Sequence, residues 1–323
     1  MNKVRRNAAV FFAVQAIATA AWWAALGFSA PVREWFRLGA DDTVLLAFLL
    51  PDGVCFFAAT AATAILCAAR NRLAPYAAWM TVGAVSYATL FCLAFALWTE
   101  TGWPGVVCMF PAMIASGNFA IGITPEIATR MFRVSSDSGT PRLLSKTLLQ
   151  LIVVWTTILF VIPPFITAVE RRIGIAAIEF TGQKPIAVAA FVVVSMIGVS
   201  GAVAMARWGR GTPLPMDTAG RLVVSGPYAF LRNPMAVSGI SQGMAVALYL
   251  GSPLVALYSL TGGVIWQLIF RPLEEEDLAA RFGEPYVDYC QVVRCWIPRL
   301  SRYQPDSHVE ARARGRRIAP DGS

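Results

Sequence analysis

The sequence predicts an all-α integral membrane protein, a bundle of about eight transmembrane helices. Three observations predict it. Of 323 residues, 57% are hydrophobic and only 14% charged, whereas about a quarter of a soluble domain is charged. The charges cluster between apolar runs of ~20 residues, the length that crosses the hydrocarbon core. The basic residues also fall on one side of the resulting topology.

The apolar runs lie at about residues 8–30, 44–69, 74–98, 104–124, 147–169, 185–206, 235–251 and 253–270. With the N-terminus placed inside, 22 of the 27 Lys and Arg residues fall in inner segments. Only Arg33, Arg37, Arg171, Arg172 and Lys184 fall outside. That split predicts that both termini are cytoplasmic. The first span follows Lys3, Arg5 and Arg6 without a small-residue cleavage site, so it is expected to be retained. The net charge of +8 then reflects basic flanks of spans, and no nucleic-acid partner is expected. The only histidine, His308, lies in a polar tail, and no cysteines stand at zinc spacing, so no metal site is expected.

In the first four spans the polar signal is Pro51-Asp52-Gly53. Asp52 is either an intramembrane charge, which is costly and marks function, or part of an interfacial turn before a later-starting span. Residues 125–145, with Ser135-Ser136-Asp137-Ser138-Gly139, read as a flexible linker. The division expected is therefore 1–145, an N-terminal membrane region; 146–300, a catalytic membrane region; and 301–323, a basic tail. Pro163-Pro164 is expected to kink or end the fifth span. Segment 170–184 reads as an outer interfacial stretch, and Gly239 with Gly243 as a face for close helix packing.

Between the sixth and seventh runs lies Gly209–Met235, the longest polar interruption between apolar spans. Ser225-Gly226-Pro227-Tyr228 is turn chemistry and brings Tyr228 and Phe230 beside Arg232-Asn233-Pro234. Asn is a strong helix N-cap and Pro is favoured at the first helical position. Such a start is at least a well-made helix terminus. Its N–H groups, dipole and the Arg232 fork also suit a carboxylate. One hairpin later comes Arg271-Pro272-Leu273-Glu274-Glu275-Glu276-Asp277, read as the first turn of a new helix. Four acids suit either the helix dipole or a cationic or polyhydroxyl ligand. The next helix is expected to stop at Phe282-Gly283, and Glu284-Pro285-Tyr286 to begin another. The short turn Leu250-Gly251-Ser252-Pro253 makes the last two spans antiparallel neighbours. It therefore brings the Arg232 region and the acids to one inner face.

The string GPYAFLRNPM, followed by EEEDLAARFGEPYVDY and RCWIPRL, resembles the isoprenylcysteine carboxyl methyltransferase family, which is related to the membrane phospholipid methyltransferases. The resemblance covers about residues 146–300. It implies an integral membrane enzyme using S-adenosylmethionine without a Rossmann domain. It also implies that Arg232, Asn233 and Pro234 form the cofactor-binding helix start, that Glu274 and Glu275 are the paired acids of the cofactor pocket, and that Tyr228, Arg271 and Tyr286 lie near it; Arg271, to orient an acceptor carboxylate, and Glu275 are the catalytic candidates. Asn233 stands where the family more often has His, and Met235-Ala236 lacks a Tyr common after the Pro. The implied partners are the bilayer and a lipophilic or lipidated acceptor. The implied location is the cytoplasmic membrane of a bacterium, with the site facing the cytoplasm.

A carboxylate acceptor is already ionised and needs no general base, which suits a motif without histidine. An ammonium acceptor would need one, for which Glu275 is a poor candidate. Carboxyl O-methylation is therefore the leading expectation, with phospholipid N-methylation and thiol S-methylation as alternatives. A nicotinamide-dependent sterol or lipid reductase and a non-enzymatic membrane protein stand outside that class.

Overall fold

The computed structural model describes residues 2–38, 42–124, 127, 145, 148–149, 152–209 and 220–304. The linker expected over 125–145 lies outside the described residues except for Ile127 and Ser145, as do the loop centre 210–219 and the tail beyond Gln304. Among the described residues the structure is helical, without strands. Among the described residues, seven helices are long and apolar enough to cross a membrane. The eighth expected span is the helix Pro234–Leu250, of 17 residues, or ~25 Å at 1.5 Å per residue. The protein is an integral membrane helix bundle.

Contacts divide the chain into two compact units that interleave in sequence. The first comprises Met1–Ala128, Ala168–Ala176 and Val264–Leu273. It contains α1 (Asn2–Phe28), the short α2 (Ala30–Phe36), α3 (Thr43–Ala68), α4 (Ala74–Thr99) and α5 (Trp103–Ile123). Helix ends need donors and acceptors that the helix cannot supply. Arg5 supplies one end, donating Nη1 to Arg70 O (3.1 Å) and Nη2 to Asn71 O (3.2 Å) just past α3. Arg33 supplies another, donating Nη1 to Leu26 O at 2.6 Å near the end of α1. Gly122 lets α5 approach Val4, Ile269 and Leu273.

Asp52 lies inside α3, in a π-helical turn Asp52–Phe57, and accepts a hydrogen bond from Trp23 Nε1 at 3.2 Å. The interfacial-turn reading of Pro51-Asp52-Gly53 is thereby corrected. Proline at 51 sits within the helical run, and the wider turn that follows accommodates its missing donor.

The second unit holds the remaining segments. Its helices are the first part of α6 (Ile152–Arg172), then α7 (Gln183–Gly209), α8 (Pro234–Leu250), the two ends of α9 (Pro253–Phe282) and α10 (Glu284–Val292). Pro163-Pro164 does not end α6. A π-helical turn, Thr157–Val161, precedes the pair and the helix continues to Arg172. Small residues set the packing of α8, as expected. Gly239 faces the Trp155 indole, Gly243 faces Ser259, and Gly201 of α7 meets Pro234 and Met235. In a bilayer such close approach replaces the hydrophobic drive that water provides elsewhere. Gln242 Nε2 also donates to Ser195 Oγ of α7 at 2.7 Å.

The segment 170–184 is tied to its neighbours at both ends. Glu170 to Arg172 complete α6. Further on, Ile178 N donates to Gly251 O at 2.8 Å and Gln183 Nε2 to Leu248 O at 2.5 Å, tying this segment to the α8–α9 turn. Gly251 is left-handed (φ 64°), and a side chain there would collide with Ile178.

The last span also differs from expectation. The sequence pattern predicts the acids in the first turn of a new helix after residue 270, but α9 is continuous from Pro253 to Phe282. Pro272 follows a π-helical turn, Trp266–Phe270, which again absorbs the proline. The apolar run Pro253–Phe270 spans ~27 Å and fills the hydrocarbon core. Beyond it, six of the twelve residues Arg271–Phe282 are charged.

Candidate functional site

Asn233 caps α8. Its side-chain oxygen accepts from Ala236 N at 3.1 Å, with Pro234 first in the helix. This fixes where the preceding residue points. Arg232 is anchored through its backbone, N donating to Arg294 O at 3.0 Å. Its guanidinium then donates Nε to Val293 O (3.0 Å), Nη2 to Cys290 O (3.1 Å) and Nη1 to Glu275 Oε1 (2.8 Å). The two carbonyls lie at the end of α10, where helical acceptors lack partners. Asn233 uses its other side-chain atom as well, Nδ2 donating to Glu274 Oε2 at 3.3 Å. The start of α8 and the acid run on α9 are therefore brought together, bridged by two adjacent residues on each side.

Tyr228 sits in a 3₁₀ turn, Gly226–Ala229, entered through a left-handed Gly226 (φ 61°). Its ring is buried with Ala204 and Val223. Phe230 is half exposed. Gly283 (φ 61°) ends α9 as expected, and α10 carries Tyr286 and Tyr289, both buried with Ala229, Val293 and Tyr303. Tyr289 Oη donates to Tyr228 O at 2.7 Å. Two backbone bonds close the cap, Arg299 N to Phe230 O and Tyr303 N to Ala229 O, each 2.9 Å.

The electrostatics follow from that packing. Burial, then the neighbouring Glu275 and Asp277 carboxylates, pushes Glu274 up to about 7, and Arg281 offsets this only in part. Two adjacent carboxyls share a confined space, so one resists ionisation. The three phenols are pushed above their ordinary value and stay neutral donors. For Tyr228 the cause is burial and then Glu274. For Tyr286 it is burial, then Cys290, then the acid pair. For Tyr289 it is burial and then Tyr228. Tyr228 and Tyr286 thus both lie within electrostatic reach of the acids.

Of the residues singled out in the sequence, Tyr228, Arg232, Asn233, Pro234, Glu274, Glu275 and Tyr286 converge on one end of the second unit. Arg271 belongs to the stretch of α9 that packs in the first unit, and its Nη1 donates to Gln267 Oε1 at 2.9 Å, one turn back. Tyr289 was not singled out. Its position three residues after Tyr286, on one helix face, was the available signal. The carbonyls of Cys290 and Val293 had none.

Chemically, the cluster offers an acid pair for cations or hydroxyls, a capped helix start with an arginine for an anion, and neutral phenols as donors. The family model of phospholipid methyltransferase matches residues 183–285, about a third of the chain and inside the region that carries the resemblance above. The match is consistent with a family related to the isoprenylcysteine carboxyl methyltransferases and indicates a membrane methyltransferase. No curated protein and no solved structure matches the chain.

Proposed function

We propose that the protein transfers a methyl group from S-adenosylmethionine to a lipophilic acceptor in the membrane, forming the methyl ester of an isoprenylcysteine-like or other lipid-linked carboxylate. The observation that carries this reading is the pairing of Arg232 and Asn233 with Glu275 and Glu274, in a segment matched by a methyltransferase family. The chemistry of the donor set fits the cofactor. Glu274 and Glu275 suit its ammonium and ribose hydroxyls, and the α8 start suits its carboxylate. When bound, the cofactor supplies an activated methyl group on a sulfonium.

The remaining work falls to the chain. Arg232 holds Glu275 in place and keeps further N–H groups for an anion. Asn233 holds both the α8 start and Glu274. Tyr228 and Tyr286 wall the acids from water, which strengthens their hold on a cation. A carboxylate acceptor arrives as the nucleophile, and catalysis reduces to alignment and desolvation. Arg271 is assigned to orienting the acceptor's carboxylate and Glu275 to the reacting end of the site. The site faces the cytoplasm, where the charge count puts Arg232 and the acids.

The test uses purified protein with methyl-labelled S-adenosylmethionine and a lipid extract. Label should move to the organic phase and be released as methanol by mild base. Base-stable label means N- or S-methylation, and no transfer at all removes the methyltransferase reading.

A further inference from the structure

After α10 the chain folds back along the turn that leads into α8, and the segment 293–303 forms a strap over it. Three backbone bonds pin the strap. Arg232 N donates to Arg294 O at 3.0 Å, Arg299 N to Phe230 O and Tyr303 N to Ala229 O, the last two at 2.9 Å. Val293 and Tyr303 are buried with Ala229, Tyr286 and Tyr289, and Cys295 is buried as well. All of these residues belong to the second unit. The pinning also fixes the depth of the strap. Its partners, residues 229–232, come just before Pro234, the first residue of α8. The strap therefore lies at the boundary where that span enters the bilayer.

Because one face is anchored, the other cannot turn inward. It carries Arg294, Trp296, Ile297, Leu300 and Arg302, all exposed. Ile297 is 58% exposed and Leu300 wholly so. A single exposed leucine needs no explanation. Three large apolar side chains held outward within one short segment, among three arginines and no acid, do. Arg299 adds an independent observation. Its Nη2 donates to Ser301 Oγ at 3.3 Å, whereas its Nη1 has no hydrogen-bond partner among the described residues. An unmet guanidinium donor is costly, and its fork geometry suits a phosphate.

We propose that this strap seats on anionic phospholipid headgroups of the leaflet it borders. Trp296, Ile297 and Leu300 enter the boundary between headgroups and acyl chains, and Arg294, Arg299 and Arg302 bind the phosphates. Both halves of the match are needed. The apolar side chains favour any bilayer, and the uncompensated arginines favour one that carries net negative charge. Bound lipid steadies the turn at residues 226–232, because the strap and the turn share three backbone bonds. The charge of the membrane is thus felt at the candidate site without a lipid entering it. Neither the contact nor its test depends on which reaction the site performs.

The full-length protein is placed in nanodiscs of phosphatidylcholine alone, or of equal parts phosphatidylcholine and phosphatidylglycerol, and amide hydrogen exchange is followed by mass spectrometry. In the anionic discs, exchange should slow several-fold over residues 294–303 and over 226–232, and stay unchanged at the α8–α9 turn, residues 250–253. Arg294→Gln/Arg299→Gln/Arg302→Gln leaves the pinning backbone in place and should exchange alike in both discs. Arg302→Gln alone, at an exposed position, should lose part of the response. Glutamine at Arg312, Arg314, Arg316 and Arg317 should leave the response intact. Equal exchange of the wild type in the two discs, or an undiminished response in the triple variant, overturns the proposal. So does loss of the response in the tail variant, because the tail would then be what reads the lipid. Protection by inorganic phosphate in phosphatidylcholine discs also overturns it, since the seat would then take a dissolved anion. Protection of strap and turn by anionic lipid alone upholds the proposal even if no methyl group is ever transferred.

Discussion

The two compact units solve the problem of polar groups in a membrane protein in opposite ways. In the first, the polar side chains inside the spans are small and mostly satisfied locally. Thr19, Thr63, Thr81 and Thr89 each return a hydrogen bond to the carbonyl four residues back. Thr63 also meets Thr81, and Ser116 donates to Gln15 Oε1 at 3.1 Å. In the second, the charged groups are collected at one end, where Arg232 reaches two other segments of chain, Glu275 of α9 and the carbonyls at the end of α10. Local satisfaction makes a rigid scaffold and recruits nothing. A network that converges from distant segments orders side chains around a common space, and so holds a site.

The exceptions in the first unit make this contrast testable. Gln15 Nε2 and Thr60 Oγ1 are buried without a hydrogen-bond partner, and Asp52 is paired only through the Trp23 indole among its described contacts. An acid in mid-membrane costs ~2.5–3.5 kcal/mol by insertion scales. If these groups serve only packing, replacing them stabilises the fold or leaves it unchanged.

The largest effect is expected at Arg232. Arg232→Ala leaves Glu275 without its cation and two α10 carbonyls without donors. Truncating one partner of a hydrogen-bonded charge pair costs ~2 kcal/mol or more, so affinity for S-adenosylmethionine should fall by ~30-fold or more in a titration of detergent-purified protein. Arg232→Lys keeps the charge but loses the fork, and should recover only part of that. Equal affinity in all three proteins would show that the network is not the site.

Next in size is a dependence on pH. The Glu274 carboxyl holds its proton up to about 7 in the folded protein, against an ordinary value of 4.5. Its folded-state value is raised, so its contribution to stability is full below the unfolded value and is lost as pH rises through about 7. Binding of an ammonium group runs the other way, because the carboxylate is the better partner. Melting temperature without the donor should fall, and donor affinity should rise, as pH is raised through neutrality. Glu274→Gln should flatten both curves. A wild-type profile without an inflection near neutrality contradicts this role for Glu274.

Smaller effects separate the units. Asn233→Ala removes a helix cap worth ~1 kcal/mol together with the bond to Glu274, so both thermal stability and donor affinity should drop, the latter by several-fold. Asp52→Asn retains an acceptor for Trp23 while removing a charge. It should raise the melting temperature slightly and leave methyl transfer unchanged. A loss of transfer in Asp52→Asn with intact folding would assign chemistry to the first unit and break the comparison.

The legible and illegible parts of this molecule divide along physical lines. Spans were legible because a bilayer demands length and apolarity. The α8 start was legible because Asn-Pro is a local signal whose geometry depends on few neighbours. The convergence of Arg232 with the acids was legible at low resolution, from the short Gly251 turn. The partners of Arg232 on α10 were not, because backbone carbonyls of Cys290 and Val293 carry no side-chain signature. The continuity of α9 was hidden because Pro272 reads as a helix start, and only the π-helical turn before it allows the helix to pass through. Pro163-Pro164 likewise lets α6 run on after the π-helical turn Thr157–Val161.

The most direct test is calorimetric titration of S-adenosylmethionine into wild-type protein, Glu274→Gln/Glu275→Gln and Asp52→Asn, all in the same detergent and shown to be folded. One binding site is expected in wild type and in Asp52→Asn, with equal affinity, and no measurable binding in the double variant. Undiminished binding in the double variant would contradict it.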